Sequence, residues 1–211
     1  MLLSPNPKYI SPWIYTIIFM VVLMILIGGI TRLTDSGLSM VEWRPIWGFL
    51  PPISDEEWKR VFSLYMNSPE YIFKNQGMSI IEFKEIFFWE YFHRLWGRLI
   101  GIVFIIPLII FYLLNKIPTS ILLKLITILF LGSFQAIIGW WMVKSGLVND
   151  PTVSQYRLAV HLSNALLILF LLLWTLLEFR NGPSKIKLDL SFIIFCFLFM
   201  TIVAGAFVAG M

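Results

Sequence analysis

Five stretches of the chain are almost continuously hydrophobic, and polar segments separate them. Each is long enough to cross a hydrocarbon layer of about 30 Å as a helix that rises about 1.5 Å per residue. The pattern therefore predicts an all-α polytopic membrane protein with five transmembrane helices. Their predicted ranges are about Trp13–Ile30, Trp89–Leu114, Pro118–Met142, Tyr156–Leu177 and Leu190–Gly210.

The first polar segment, Thr31–Phe88, is too long for a plain connection and carries three helix-start signals. Ser54 and Ser79 are each followed three residues later by glutamate, which is the pattern of a capping box. Ser68 precedes Pro69, and proline is favoured in the first turn of a helix. We expect short interfacial helices in this outer loop, ahead of the second span.

Hydrophobic residues make up 59% of the 211 positions and charged residues only 13%. So small a polar supply cannot coat a water-soluble globule of this size, which excludes the soluble classes of protein. The single cysteine, Cys196, lies within the fifth span and excludes an internal disulfide.

The net charge of +4 does not indicate a nucleic-acid partner, because the basic residues flank the spans and form no separate basic face. Positive charge in short loops marks the cytoplasmic side, and this predicts a cytoplasmic N-terminus. The residues used for this assignment are Lys8, Lys116, Arg180, Lys185 and Lys187. The opposite boundary is rich in tryptophan, as an aromatic belt requires, at Trp43, Trp47, Trp58, Trp89, Trp140 and Trp141.

The chain has only two histidines, His93 and His161, and both lie a few residues into spans that run in the same direction. Histidines inside a membrane are costly unless they face the bundle interior, so this pair predicts a shared ligand site. Two imidazoles leave a zinc tetrahedron half empty, whereas they suffice as axial ligands of a haem iron. The count of ligands favours haem.

Glu90 stands three residues before His93 and therefore shares its helix face. A Glu-x-x-His motif also builds di-iron sites, but Leu158 replaces the glutamate expected before His161. Glu90 is either a carboxylate beside the bound haem or an interfacial glutamate in water. Arg94, Arg98, Arg157 and Lys144 are expected at the same outer level, where they pair with haem propionates or extend to the headgroups.

A weak internal repeat links the odd-numbered spans. The first contains Ile27-Gly28-Gly29, the third Ile138-Gly139-Trp140 and the fifth Ala204-Gly205-Ala206. Small residues also recur in membrane helices because they allow close helix approach, so the repeat alone carries little weight.

At these residues the chain resembles the haem A synthase family, in its mitochondrial and alphaproteobacterial type. The resemblance is collinear over nearly the whole chain. It rests on the segments Gly28–Met40 with Trp43 and Pro45, Pro51-Pro52, Glu57-Trp58, Ser68–Tyr71, Asn75, Gly77-Met78, Glu82–Lys84, Glu90–Arg94, Gly139–Leu147 and Tyr156–Leu162.

The resemblance implies an enzyme of haem A biosynthesis in the bacterial inner membrane, which oxidises a methyl group of haem O to formyl for cytochrome oxidase. It implies that His93 and His161 are the iron ligands for the substrate haem O and that Glu90 is the catalytic glutamate. Implied partners besides haem O and lipid are haem O synthase, assembly factors of cytochrome oxidase and a complementary C-terminal half. The type with a cysteine pair in the outer loop does not match, since no cysteine lies there.

The family fold has eight transmembrane helices in two similar halves, and a haem b is expected in the second. We therefore expect residues 1–180 to form the N-terminal four-helix haem-binding half and residues 181–211 to begin a missing second half. Two other functions remain open at this point. One is an electron-transfer module like a b-type cytochrome, which binds haem without altering it, and the other is a structural or transport subunit with no cofactor.

Overall fold

The computed structural model describes residues 7–42, 44, 48–148, 150–183, 185 and 188–209. Predicted positions outside the described residues are Trp43, Pro45, Trp47, Lys187 and Gly210. The described residues form seven α-helices and no strand. The helices are α1 Pro7–Leu33, α2 Asp55–Tyr65, α3 Pro69–Phe73, α4 Ile80–Leu113, α5 Thr119–Gly146, α6 Gln155–Asn181 and α7 Leu190–Ala209.

The five long helices are each long and apolar enough to cross a membrane, and they coincide with the five predicted spans. The chain is therefore a polytopic all-α membrane protein, as its hydropathy predicted. The shortest, α7, has 20 residues and so measures about 30 Å along its axis.

The outer loop contains two short helices, α2 and α3, and each begins where the capping signals placed it. The hydroxyl of Ser54 accepts a hydrogen bond from the backbone N–H of Glu57, and that of Ser68 accepts one from Tyr71. The prediction of a third, separate interfacial helix is wrong. Ser79 forms a complete capping box with Glu82, but the helix it starts is α4 itself. No proline or glycine interrupts the chain before Gly97, so the helix continues into the span.

Four of the long helices form a bundle in which α1 packs against both α4 and α6, and α5 packs closely against α6. Helices α4 and α5 also contact each other, but less extensively than the other neighbouring pairs of the bundle. Because α1 and α5 each contact both α4 and α6, the latter two helices lie diagonally across the bundle. A direct contact between α4 and α6 is at most marginal among the described residues.

The apolar core fills one half of this bundle, the half that contains the start of α1 and the end of α6. Its members include Ile14, Phe104, Leu125 and Leu172, all of them buried. In the other half of α4, all ten residues from 91 to 100 are only half-buried. This stretch therefore lacks the buried positions that α4 has in the apolar core at Phe104 and Leu108.

The helix α7 packs against α6, outside the four-helix bundle. The ring centroids of Phe195 and Phe170 are 5.1 Å apart, and those of Phe207 and Tyr156 are 5.6 Å apart. The guanidinium of Arg32, at the end of α1, donates hydrogen bonds to the carbonyl of Ala209. A domain boundary after residue 180 stays a prediction.

Candidate functional site

His93 lies on α4, within the half-buried stretch of residues 91–100 and outside the apolar core. Its imidazole packs against α1 at Gly28, where a methyl group placed on the glycine would lie 3.2 Å from Nε2 of the histidine. The ring makes no hydrogen bond within the described part of the chain. Its two nitrogens are therefore not committed to protein partners there.

His161 lies on α6 and packs in the same way against α5. A methyl group on Gly139 would lie 3.0 Å from Cε1 and 3.5 Å from Nδ1 of this imidazole. Nδ1 is buried and has no hydrogen-bond partner among the described residues. A buried nitrogen without a partner costs free energy and calls for a ligand or ion to explain it.

The two histidines lie on α4 and α6, the helices that occupy diagonal corners of the bundle. Gly28 lies five residues before the end of α1 at Leu33, and Gly139 lies seven residues before the end of α5 at Gly146. At about 1.5 Å per residue, Gly28 therefore lies about 8 Å from the end of α1, and Gly139 about 11 Å from the end of α5. Leu38, just beyond α1, packs tightly on Gly146 and holds the two helix ends together. The structure thus places the two histidines at similar depth on diagonal helices.

Glu90 is buried, with 3% of its surface exposed, so it is not an interfacial glutamate in water. Its Oε2 accepts hydrogen bonds of 2.7 Å from the hydroxyl of Ser39 and from the backbone N–H of Met40. Its Oε1 accepts one of 2.5 Å from Arg94 on the next turn of α4. Three donors, two of them from the segment after α1, therefore hold the carboxylate in one orientation.

The basic residues expected at the outer level divide into two groups. On α4, Arg94 donates to Glu90 and to the carbonyl of Met40, and Arg98 donates to the carbonyl of Arg44. Both arginines thus hold the outer loop against the helix that carries His93.

The other group lies on α5 and α6. Arg157 donates to the carbonyl of Trp141 at 2.7 Å and covers its ring at 4.6 Å. Lys144 covers the ring of Trp140 at 5.0 Å. These tryptophans, predicted as membrane anchors, therefore also serve as cation–π partners, a contact that cations and aromatic faces favour.

A polar network between α5 and α6 was missed by the sequence analysis. The amide of Gln135 donates a hydrogen bond of 2.9 Å to the carbonyl of His161, and its nitrogen lies 3.5 Å from Nε2 of the same residue. Asn164 donates to Oε1 of Gln135 at 2.6 Å. The signal that could have found them is their polarity inside predicted spans, since such residues usually face the interior and bond across helices.

Outside the spans, α2 and α3 hold a second buried carboxyl group, that of Glu70, which is 2% exposed. It accepts a hydrogen bond of 2.9 Å from the hydroxyl of Tyr65, which in turn accepts one from Asn75. Burial raises the pKa of Glu70 to about 7; the bond from Tyr65 opposes this rise and the charge of Glu90 adds to it. This carboxyl group changes its charge near neutral pH.

The histidine pair fits a haem by two features. Two imidazoles supply the axial donors that a porphyrin iron lacks. Nδ1 of His161 is buried and has no hydrogen-bond partner among the described residues. The described residues contain no group of three or more histidine, cysteine, aspartate or glutamate side chains that could hold a metal ion by themselves.

Comparison with known proteins gives consistent matches along the chain. A sequence profile of the cytochrome oxidase assembly protein family, COX15-CtaA, matches residues 11–211. A protein called Heme A synthase from Parvibaculum lavamentivorans is 43% identical over 209 residues, which cover 97% of this chain and 61% of its own length. A protein of the same name from Granulibacter bethesdensis is 46% identical over 212 residues, 97% of this chain and 57% of its own.

A third protein called Heme A synthase, from Rickettsia bellii, is 46% identical over 212 residues, with 97% of this chain and 63% of its own length covered. The chain thus spans about three fifths of the length of these relatives. No solved structure matches the chain.

Proposed function

Because the chain belongs to the cytochrome oxidase assembly protein family COX15-CtaA, we propose that it forms the substrate-binding half of a haem A synthase. This enzyme oxidises a methyl group of haem O to a formyl group. The observation that supports the proposal is the placement of His93 and His161 at similar depth on the diagonal helices α4 and α6.

His93 and His161 would hold the iron of haem O from opposite sides, with the porphyrin between α4 and α6. The absence of close packing between these two helices supports this placement. The half-buried outer part of α4 provides the apolar surroundings that a porphyrin requires. Arg94, Arg98 and Arg157 would face the propionates, since guanidinium groups bind carboxylates with high specificity.

Glu90 would act next to the reacting methyl group. A fixed negative charge stabilises positive charge that develops as the methyl carbon is oxidised, and it also orients an attacking water. Ser39, Met40 and Arg94 hold the Glu90 carboxylate before the reaction begins. Such preorganisation is most effective in a site from which bulk water is excluded, and Glu90 is buried.

The conversion needs an electron acceptor outside the histidine site. A methyl group that becomes a formyl group takes oxygen from water and releases four electrons and four protons. A haem b in the complementary half of the longer relatives would relay these electrons one at a time to a terminal electron acceptor outside the protein. The full reaction therefore requires that half in addition to the present chain.

The proposed location is the bacterial inner membrane with a cytoplasmic N-terminus. Lys116 and Lys185 lie in short connections and Arg180 in the last turn of α6, all on one side of the bundle, and positive charge in such places is retained in the cytoplasm. The histidine site would then open towards the outer side. Haem O synthase and assembly factors of cytochrome oxidase are the protein partners that this function implies.

To test the proposal, the chain is produced with a source of haem O and the complementary half of a relative, and the extracted haems are separated. We expect haem A with the parent chain and none with His93→Ala or His161→Ala. Absence of haem A from the parent would overturn the proposal. Bound haem that is never converted would instead identify an electron-transfer module, and a colourless protein would identify a subunit without haem.

A further inference from the structure

Each histidine of the pair packs against a glycine on the helix that precedes it in its own helix pair. We propose that Gly28 and Gly139 are positioning residues that set the orientation of the His93 and His161 imidazoles. We further propose that they are equivalent positions in two copies of one helix-pair unit, α1 with α4 and α5 with α6. This inference rests on the proposed binding of haem by the two histidines.

The two contacts correspond in their place in the fold. In each unit the glycine lies near the outer end of the first helix and the histidine lies on the second helix, at the level of the glycine. The local sequences, Ile27-Gly28-Gly29 and Ile138-Gly139-Trp140, belong to the weak repeat. The repeat thus acquires a physical meaning, because its shared glycine is the residue that meets the imidazole in both units.

General close approach of helices does not explain these two glycines. Apart from atoms of the glycine's own stretch of helix, the atoms within 4 Å of a methyl group added to Gly28 belong to the His93 ring, and the three nearest to one added to Gly139 belong to the His161 ring. A glycine that served helix–helix approach would meet backbone or aliphatic atoms of the facing helix. Gly29 and Gly132, on the same two helices, have open space in place of a side chain.

The contact matters because the histidine side chain does not fix its own ring plane. Rotation about χ2 of histidine has broad minima, so a neighbouring wall decides the orientation of the ring. At 3.2 Å and 3.0 Å an added methyl group is closer than ordinary van der Waals contact, and the ring would have to move by a few tenths of an ångström. Axial ligation of iron depends on ring direction, and residues that orient a ligand commonly change metal affinity by about 10- to 100-fold.

The experiment compares Gly28→Ala and Gly139→Ala with Gly29→Ala and Gly132→Ala in the full chain, purified in detergent and titrated with haem. Haem affinity, the electron paramagnetic resonance g values of the oxidised haem and its midpoint potential are measured. We expect the first two variants to bind haem about tenfold more weakly, with shifted g values and potential. The two control variants should match the parent, and equal behaviour of all four variants would overturn the inference.

Failure of the proposed function gives a different result. If His93→Ala and His161→Ala bind haem with the parent's affinity and spectrum, haem ligation by the pair is wrong, whatever the glycine variants do. If those variants lose haem but Gly28→Ala and Gly139→Ala do not differ from their controls, only the positioning role is wrong.

A second test combines Gly139→Ala with His161→Gly, so that the inference can still be checked if Gly139→Ala alone fails to fold. In His161→Gly supplied with free imidazole, the ligand is no longer tethered and can adapt its position. Gly139→Ala should then bind haem as well as the His161→Gly parent does. A persistent loss in this background would overturn the inference, because the added methyl group would be in conflict with something other than the histidine ring.

Discussion

The hydroxyl of Ser39 donates a hydrogen bond of 2.7 Å to Oε2 of Glu90, across a sequence separation of 51 residues. This contact joins the segment after α1 to the helix that carries His93. The neighbouring backbone N–H of Met40 binds the same oxygen. The orientation of the Glu90 carboxylate, one turn from the histidine, therefore depends on how the outer loop is folded.

Replacement of Glu90 by glutamine tests its proposed catalytic charge. Glu90→Gln preserves the shape of the side chain but removes the negative charge that would stabilise the oxidised carbon. We expect haem content to remain near the parent level while haem A formation falls by at least about 100-fold, in line with the loss of one preorganised electrostatic group. Extraction and separation of haems measure both quantities. Unchanged conversion would defeat the assigned role.

The variant Ser39→Ala tests the importance of the orientation of the Glu90 carboxylate without removing its charge. The charge of Glu90 remains, as do its bonds with Met40 and Arg94, so conversion should fall less than in Glu90→Gln, by about tenfold. Haem affinity should not change, because Ser39 has no contact with either histidine. The exposed Ser63, which bonds the carbonyl of Arg60 in its own helix, offers a control in Ser63→Ala. A loss as large as that of Glu90→Gln would mean that orientation outweighs charge.

The network behind His161 is expected to contribute stability. Asn164→Ala removes the donor of two half-buried bonds between α5 and α6, one of 2.6 Å to Gln135 and one of 3.2 Å to the carbonyl of Leu131. Bonds of this kind contribute about 0.6 to 2 kcal/mol in membrane helix bundles. Thermal unfolding in detergent should show a lowered midpoint. Ser133→Ala removes only a bond to the carbonyl of Leu129 within α5, at an exposed position, and should have a smaller effect. Equal effects would contradict the importance of the network.

The pKa of Glu70 predicts a dependence of stability on pH. Burial raises this pKa to about 7, above the ordinary 4.5, so the folded protein retains a proton that the unfolded chain has lost. The stabilisation from this proton is complete below about pH 4.5 and is lost as pH rises through about 7. The difference amounts to no more than about 3.5 kcal/mol, at about 1.4 kcal/mol for each pKa unit.

Tyr65, Lys74, Asp35 and Glu90 are the titratable groups that act on Glu70. In Glu70→Gln the side chain is neutral at every pH, so the fall in unfolding midpoint between about pH 5 and about pH 8 should be smaller than in the parent. Glu56→Gln, at an exposed position on the outer loop helix α2, is the control and should keep the parent's pH dependence. An identical fall in Glu70→Gln and Glu56→Gln would exclude Glu70 as its source.

Local features of the sequence determined the membrane architecture. Five hydrophobic runs predicted five membrane-spanning helices because span length follows from bilayer thickness and helix rise alone. Ser54, Ser68 and Ser79 marked three helix starts because an N-cap involves only the next three residues. The alternation of direction between successive spans likewise places His93 and His161 at similar depth before any contact is known.

The tertiary structure alone decided what surrounds those residues. Glu90 could have been an interfacial group in water, and its burial depends on Ser39 and Met40, which fold back from the segment after α1. The glycine behind each histidine depends on which helices become neighbours. Contacts of this kind join residues far apart in the chain, and the energies that select them come from packing between whole helices. No local pattern of hydrophobic and polar positions contains that information.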